Sequence, residues 1–375
     1  MRILIITRYF APEITGGARR PKALADALTD LGHEVKIAAP LGADFSQLIG
    51  VPHPRYPVNF NTNSTNNKSA MDGLRKAVLL PDPEIRWALR LVRFAKNDGF
   101  TPDLVISTSP PESLHIAGAL LKRHFKCKWI AEFRDPWIYP PQRLELLNPI
   151  RCAIERIIAK SALKNSDAIV GVSKTVLKDA KSLAPNSSEA IVGHFAKKFE
   201  GEVEILPTDA FNIVHTGAIS MSNPLSQFTP FLCAFEEFCI ARPNAHLHWA
   251  GRLSQYEIAA IEASPAKSNI SLLGSVDYKR SRSLQLAADA LLLVSGEKSH
   301  ALPGKFSEYA LTGIPIIAFG DGKWRNLIPA EANIIDFEAA KRLSKGKRKI
   351  SPSFDARQAA LDYQKLIAKL FCDKN

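Results

Sequence analysis

The chain has 375 residues, 46% of them hydrophobic, which is enough for two cores rather than one. Its five cysteines are odd in number and form no C-x-x-C pair, which argues against a disulfide framework or a zinc site and for a reducing compartment. The net charge of +12 is uneven, with 29 Lys and Arg against 19 Asp and Glu in residues 1–200 but 20 against 18 in residues 201–375.

A basic first half suggests an anionic partner. Nucleic acid is not expected, because zinc-finger spacing, RNP-type aromatics and a basic low-complexity arm are all missing from the sequence. An anionic membrane surface or a phosphate-bearing acceptor fits better. The start, Met1–Thr7, has only four consecutive apolar residues, too few for a signal-peptide core, and no run approaches a membrane span. A cytoplasmic protein is expected, docked peripherally on the inner face of the membrane.

Arg2–Thr7 reads as a first strand, followed by a loop carrying Gly16-Gly17, a helix over Arg19–Leu31 closed by Gly32, and a strand over Glu34–Ala39. The G-x-G-x-x-G fingerprint is absent. The glycine pair is either a plain turn or a place where backbone N–H groups approach a ligand, with Arg19 and Arg20 behind it. Residues 41–70 lose periodicity and are expected to form a long mobile loop. From Pro81 a basic amphipathic helix begins, with Arg86, Arg90 and Arg93 on one face and Ile85, Leu89, Val92 and Ala95 turned elsewhere. That face is either a membrane contact or a solvated surface.

A strand over Asp103–Ser107 leads through Thr108-Ser-Pro-Pro111 into a helix ending near His124. Lys128–Phe133 is a strand that delivers Arg134-Asp135-Pro136-Trp137 to its carboxyl end. Asp135 either orients Arg134, accepts a proton from an incoming hydroxyl, or forms a structural salt bridge. A helix (Ile150–Leu163), a strand (Asp167–Val172) and a helix (Lys174–Leu183) follow, and the pattern then breaks between Ala196 and Asp209, marking a domain boundary.

The second half restarts with strands at Phe211–His215, Ala245–Trp249 and Ile270–Gly274, interleaved with helices over Leu225–Ile240, Gln255–Glu262 and Tyr278–Ala287. Ala290–Ser295 and Ile316–Phe319 are short buried-type strands flanking Pro303-Gly-Lys-Phe-Ser-Glu308-Tyr. Pro303 suits a helix start and Gly313 a left-handed cap, predicting a helix of about three turns. Lys305 and Glu308 then share one face of the first turn, a cation suited to phosphate and a carboxylate suited to sugar hydroxyls. Ile334–Phe337 is a last strand, Lys341–Lys349 a basic loop, and Ser353 the cap of a helix over Phe354–Phe371.

Two α/β halves, Gly16-Gly17 after strand one, Pro81-Asp82-Pro83 with Trp87, Thr108–Pro111, Phe133–Trp137 and the PGK-x-x-EY segment together resemble the family-4 retaining glycosyltransferases of GT-B architecture, in a bacterial subgroup. The resemblance implies two Rossmann-like domains facing across a cleft. Residues 1–195 would bind the acceptor, 196–352 the nucleotide-sugar, and 353–375 would be a helix packing back towards the first domain.

The resemblance also assigns roles. Glu308 would hold the nucleotide ribose, and Lys305 with Pro303 and Gly304 the diphosphate. Val276 would lie by the base, and Gly16 and Gly17 would close over the donor phosphates. Asp135 joins Lys305 and Glu308 as a residue expected to act in catalysis, with Arg134 and Arg19 facing the acceptor. Gly217 opens the first loop of the second domain, where relatives carry cations, and Arg252 would replace part of that missing charge. His300 stands where the family keeps a first Glu, eight residues before Glu308, so the contact to the donor sugar is altered.

The implied reaction moves a sugar, with retention, from a UDP- or GDP-linked donor to a glycan or lipid-linked acceptor, as in cell-surface polysaccharide synthesis. No further cofactor is implied. With no D-x-D motif to recruit a metal, fixed groups would stabilise the leaving diphosphate. Two other readings stand beside it: a catalytically silent scaffold of the same fold, and a nucleotide-sugar epimerase.

Overall fold

The computed structural model describes residues 1–11, 16–53, 79–138, 148–219, 228–296, 302–344 and 352–372. The chain divides into two compact units, Met1–His194 with Ala356–Asn375, and Phe195–Asp355.

The first unit is built from β1 (Arg2–Ile6), α1 (Gly16–Asp30), β2 (Glu34–Pro40), β3 (Leu48–Val51), α2 (Ile85–Asn97), β4 (Leu104–Ser109), α3 (Ser113–Phe125), β5 (Lys128–Phe133), α4 (Pro149–Leu163), β6 (Ala168–Gly171), α5 (Lys174–Leu183) and β7 (Ser188–Ile191). Its seven strands run in the order β3-β2-β1-β4-β5-β6-β7, and every strand pairing among the described residues is parallel. Ile3–Ile6, Leu104–Ser109 and Trp129–Phe133 are buried throughout, as central parallel strands covered on both faces must be.

The strand order fixes where the helices lie. Connections running leftward from β1 and rightward from β4 through β7 are right-handed only if they use opposite faces of the sheet. Accordingly α2, α3, α4 and α5 pack side by side in sequence. They close one core layer with Trp87, Leu91, Leu114, Leu121, Leu163 and Leu177 against Leu4, Val105 and Trp129. On the other face α1 packs on the final helix, α11 (Ala356–Cys372). Caps set several starts: Asn148 accepts from the N–H groups of Ile150 and Arg151, and Ser173 from that of Val176.

The second unit contains β8 (Phe211–Thr216), α6 (Phe228–Ala241), β9 (Ala245–Ala250), α7 (Gln255–Glu262), β10 (Ile270–Gly274), α8 (Tyr278–Ala287), β11 (Ala290–Val294), α9 (Phe306–Thr312), β12 (Ile316–Phe319), β13 (Ile334–Ile335) and α10 (Phe337–Lys341). Its sheet order is β10-β9-β8-β11-β12-β13. Phenylalanines of α6 fill one face with Trp249 and Phe337, while Leu284, Phe306, Tyr309, Trp324 and Phe354 fill the other. The fold is thus two Rossmann-like α/β units, each around its own parallel sheet.

Several expectations change. Gly16 and Gly17 are the first residues of α1 rather than a loop before it. Leu48–Val51 is an edge strand inside the stretch expected to be loop, because Ile49 and Val51 bury one face against the core; residues 54–78 lie outside the described residues. Val92 and Ala95 are buried on α2 together with Trp87, Ala88 and Leu91, whereas Leu89 is exposed. Ser188–Ile191, unassigned by pattern, is the edge strand β7. Helix α9 starts at Phe306, with Lys305 as its N-cap, so Pro303 precedes the helix rather than opening it. Ser353 lies in a 3-10 turn over Pro352–Phe354 and donates to Glu331, so it does not cap α11.

Candidate functional site

In the second unit the chain leaves β8 leftward and β11 rightward, so their adjacent carboxyl ends form the switch point where parallel sheets open a crevice. His215 and Thr216 end β8 there with Gly217 just beyond, and Lys305 and Glu308 arrive on the segment after β11. Lys305 Nζ lies 3.2 Å from His215 Nε2. Nδ1 of the same ring is 2.9 Å from the Leu292 carbonyl oxygen, which only an N–H can satisfy. His215 therefore carries its proton on Nδ1 and accepts from the lysine on Nε2. Burial first, and then the charge of Lys305, hold its pKa well below the usual histidine range. A neutral ring thus fixes a cation without neutralising it.

Two glycines make room for this arrangement. Gly217 has φ +94°, a conformation that disfavours any residue with a Cβ, and a Cβ there would stand 3.3 Å from Lys305 Nζ. A Cβ on Gly251, just past β9, would fall 2.2 Å from the Gly217 carbonyl oxygen, while the Gly217 N–H donates to Ala250 at 2.7 Å. The two backbones touch, and only glycine at 251 allows it.

Glu308 is buried in the first turn of α9 and reaches two side chains of α8. Gln285 Nε2 donates to its Oε2 over 3.4 Å, and Arg282 Nη1 stands at 3.9 Å. Gln285 also donates to Thr216 Oγ1 at 3.0 Å and accepts from Arg282. Tyr309 closes the network, accepting from the Thr216 N–H at 2.9 Å, and burial pushes its phenol up to about 12. The end of β8, α8 and α9 are thus tied together through polar groups buried at their junction. Neither Arg282 nor Gln285 stood out in the sequence, where α8 read as a short basic helix. A buried Arg three residues from a Gln has no signature of its own.

Of the other donor-side expectations, Arg252 follows β9 as an exposed cation and Val276 follows β10, half-buried, so both sit at the carboxyl edge of the same sheet. Pro303 and Gly304 directly precede Lys305. His300 lies outside the described residues.

The first unit has its own switch point, between β1 and β4, with Gly16 and Gly17 opening the helix that follows β1. Arg134 leaves β5 buried, donating from Nε to the Ser109 carbonyl at 2.8 Å and from Nη2 to that of Pro110 at 3.1 Å. Burial raises the pKa of the adjacent Asp135, an effect that Arg134 partly offsets. Arg19 is half-buried on α1.

Arg20 turns inward instead of joining a ligand face. Its Nη2 lies 2.8 Å from Glu132 Oε1, and it donates to the carbonyls of Val192 and Gly193. The same Glu132 oxygen accepts from Tyr363 of α11 at 2.6 Å. Burial alone would raise the Glu132 pKa, but Arg20 and the Tyr363 hydroxyl outweigh it and bring the group to about 2. Ser107 and His115, 2.9 Å apart, look like a nucleophile and base. Both are fully buried, and Trp129 Nε1 donates to the same hydroxyl, so the pair is core.

Residues 15–190 match a family model described as a glycosyl transferase 4-like domain. Among solved structures, the chain is similar to sucrose-phosphate synthase from Thermosynechococcus elongatus, at 12% identity and TM-score 0.64, covering 100% of both chains. It is similar to Anabaena HepE in complex with UDP, at 11% identity and TM-score 0.60, covering 98% of this chain and 100% of that one. The UDP-GlcNAc 2-epimerase of Methanocaldococcus jannaschii aligns at 12% identity and TM-score 0.58, over 98% and 100%. At these identities the likeness is one of fold. No curated protein matches the sequence.

Proposed function

We propose that the protein is a retaining glycosyltransferase that takes a sugar from a nucleotide-diphospho-sugar bound by the second unit and passes it to a glycan or lipid-linked acceptor held by the first. The observation that carries this reading is the pair at the second switch point: a cation held by a neutral histidine, and a buried carboxylate one turn further on. The glycosyl transferase 4-like match supports the reaction class, and the UDP in the HepE structure supports a UDP-linked donor, with GDP the other candidate.

The chemical difficulty is negative charge developing on the diphosphate as the glycosidic bond breaks. Lys305 meets that charge directly. Helix α9 has only seven residues, so the lysine rather than a helix dipole supplies the attraction. Because His215 is neutral and already positioned, little reorganisation accompanies charge development. Glu308, oriented by Gln285 and Arg282, accepts from the ribose hydroxyls. Gly304 and the Gly217 turn let the backbone approach the phosphates, Val276 borders the base, and Arg252 adds a cation at the rim. In retention the acceptor hydroxyl attacks from the side the diphosphate leaves. Its proton passes to the departing phosphate oxygen, and Arg134 and Asp135 orient the acceptor.

The test is product formation from radiolabelled UDP- and GDP-sugars with lipid-linked and glycan acceptors. Wild-type turnover by Lys305→Ala and Glu308→Ala would remove this assignment. The match to an epimerase structure, at TM-score 0.58, favours one second reading, nucleotide-sugar epimerisation. Conversion of the donor without acceptor, with the nucleotide still attached, would establish it instead.

A further inference from the structure

The four helices on one face of the first sheet make an unusual outer surface. Helices α2 and α3 contain no Asp or Glu. Helix α4 has one, Glu155, buried against Arg151 at 3.0 Å, and α5 has one, Asp179, which accepts from the Trp137 N–H at 2.8 Å. Neither faces water freely. Against these stand exposed Arg86, Arg93, Arg123, Lys160, Lys174 and Lys178. Much of the chain's positive excess is therefore gathered on one helical layer.

An apolar row runs along one helix of that layer. Ile150, Ile154 and Ile157 of α4 are 72%, 42% and 68% exposed. Their i, i+4, i+7 spacing places them in one row about 10 Å long. Leu89 and Phe94 of α2 are also exposed. The inner faces of these helices already bury their own leucines and alanines, so the row is surplus to the core. Three isoleucines in a row cost hydration without serving the fold.

We infer that this face, led by Ile150, Ile154 and Ile157 within a basic surround, seats the protein on an anionic phospholipid bilayer. Isoleucines entering the boundary between headgroups and acyl chains bury apolar area, while arginines and lysines around them meet lipid phosphates. A nucleic acid would satisfy the charge but leave the isoleucines in water. The inference refines the expected membrane contact to a named surface and does not depend on the proposed reaction, since binding is measured without donor or acceptor.

The experiment is co-sedimentation of the full chain with vesicles of phosphatidylcholine alone or with about one third phosphatidylglycerol, at low and high salt. The wild type is expected to bind the anionic vesicles about tenfold better than the neutral ones and to be released by salt. The triple variant Ile150→Ser, Ile154→Ser, Ile157→Ser keeps the charge but should lose roughly tenfold in binding. Arg86→Glu with Arg93→Glu should lose as much. A control with equal charge change, Lys365→Glu with Lys369→Glu on α11, should bind as wild type. Circular dichroism melts identify any variant that fails to fold, and single Ile157→Ser then replaces the triple. Equal binding to both vesicle types, an unaffected isoleucine variant, or equal loss in the α11 control would overturn the inference. So would displacement by RNA that is indifferent to the isoleucine changes.

Discussion

Lys305 Nζ stands 3.2 Å from the unprotonated nitrogen of His215, a ring whose other nitrogen is tied to the Leu292 carbonyl. The lysine is thereby aimed across the end of β8 by a partner with no charge to cancel its own.

Replacing Lys305 by Ala should lower turnover roughly a hundredfold or more, the scale for losing a preorganised charge-stabilising group. His215→Phe should cost less, because the cation survives without its anchor. Steady-state kinetics with the donor varied will separate the two. Removing Lys305 also removes one of the causes depressing the His215 pKa. Burial is the larger cause, so NMR titration of His215 in Lys305→Ala should show a pKa that rises yet stays below the ordinary histidine value.

Arg282 and Glu308 are both buried, 3.9 Å apart, with Gln285 bonded to each. Arg282→Met leaves a buried carboxylate without its cation and should destabilise the second unit by about 3 kcal/mol. Adding Glu308→Gln should recover much of that loss while leaving donor binding impaired. Chemical denaturation of both single variants and the double variant measures the coupling.

Two glycine substitutions should differ for a reason visible in the backbone. Gly251→Ala forces a Cβ to 2.2 Å from the Gly217 carbonyl, and should cost roughly 2 kcal/mol and distort the crevice. Gly274→Ala meets nothing within 4 Å, so its penalty is only that of its φ of +66°, about 1 kcal/mol. Thermal melts give the ranking, and donor affinity should fall only in Gly251→Ala.

His194 is half-buried near Arg20 and Arg134. Burial first, and then those charges, lower its pKa to about 4. The unfolded chain takes up this proton below its ordinary pKa of about 6.5, whereas the folded chain resists until about 4. The stability this neutral ring contributes is therefore complete above pH 6.5 and declines as pH falls towards 4, at about 1.4 kcal/mol per pH unit. His194→Gln should flatten the pH dependence by one proton across that window in urea unfolding of the first unit.

Strand positions were legible because buried parallel strands leave short apolar runs such as Lys128–Phe133 and Ile316–Phe319, which the structure reproduces. The edge strands of the first sheet were not. Leu48–Val51 and Ser188–Ile191 bury one face or less, and each is only four residues long, too short for a half-buried run to mark a strand. Helix starts were harder than helix ends. Gly313 announces the end of α9, but nothing local says that Lys305 rather than Pro303 precedes its first turn.

By itself the sequence determined the α/β alternation, the two cores, the positive charge of the first half, and the Lys305–Glu308 segment after a buried strand, since each follows from composition or local spacing. Only the tertiary structure decided which side chains meet. His215 lies 90 residues from Lys305, Gln285 is 69 from Thr216, and Glu132 is 231 from Tyr363. Sheet order brings such pairs together through packing across the whole unit, and no local preference encodes it. The isoleucine row of α4 shows the same division: its helical spacing is written in the chain, but its exposure was settled by the other face of that helix filling the core.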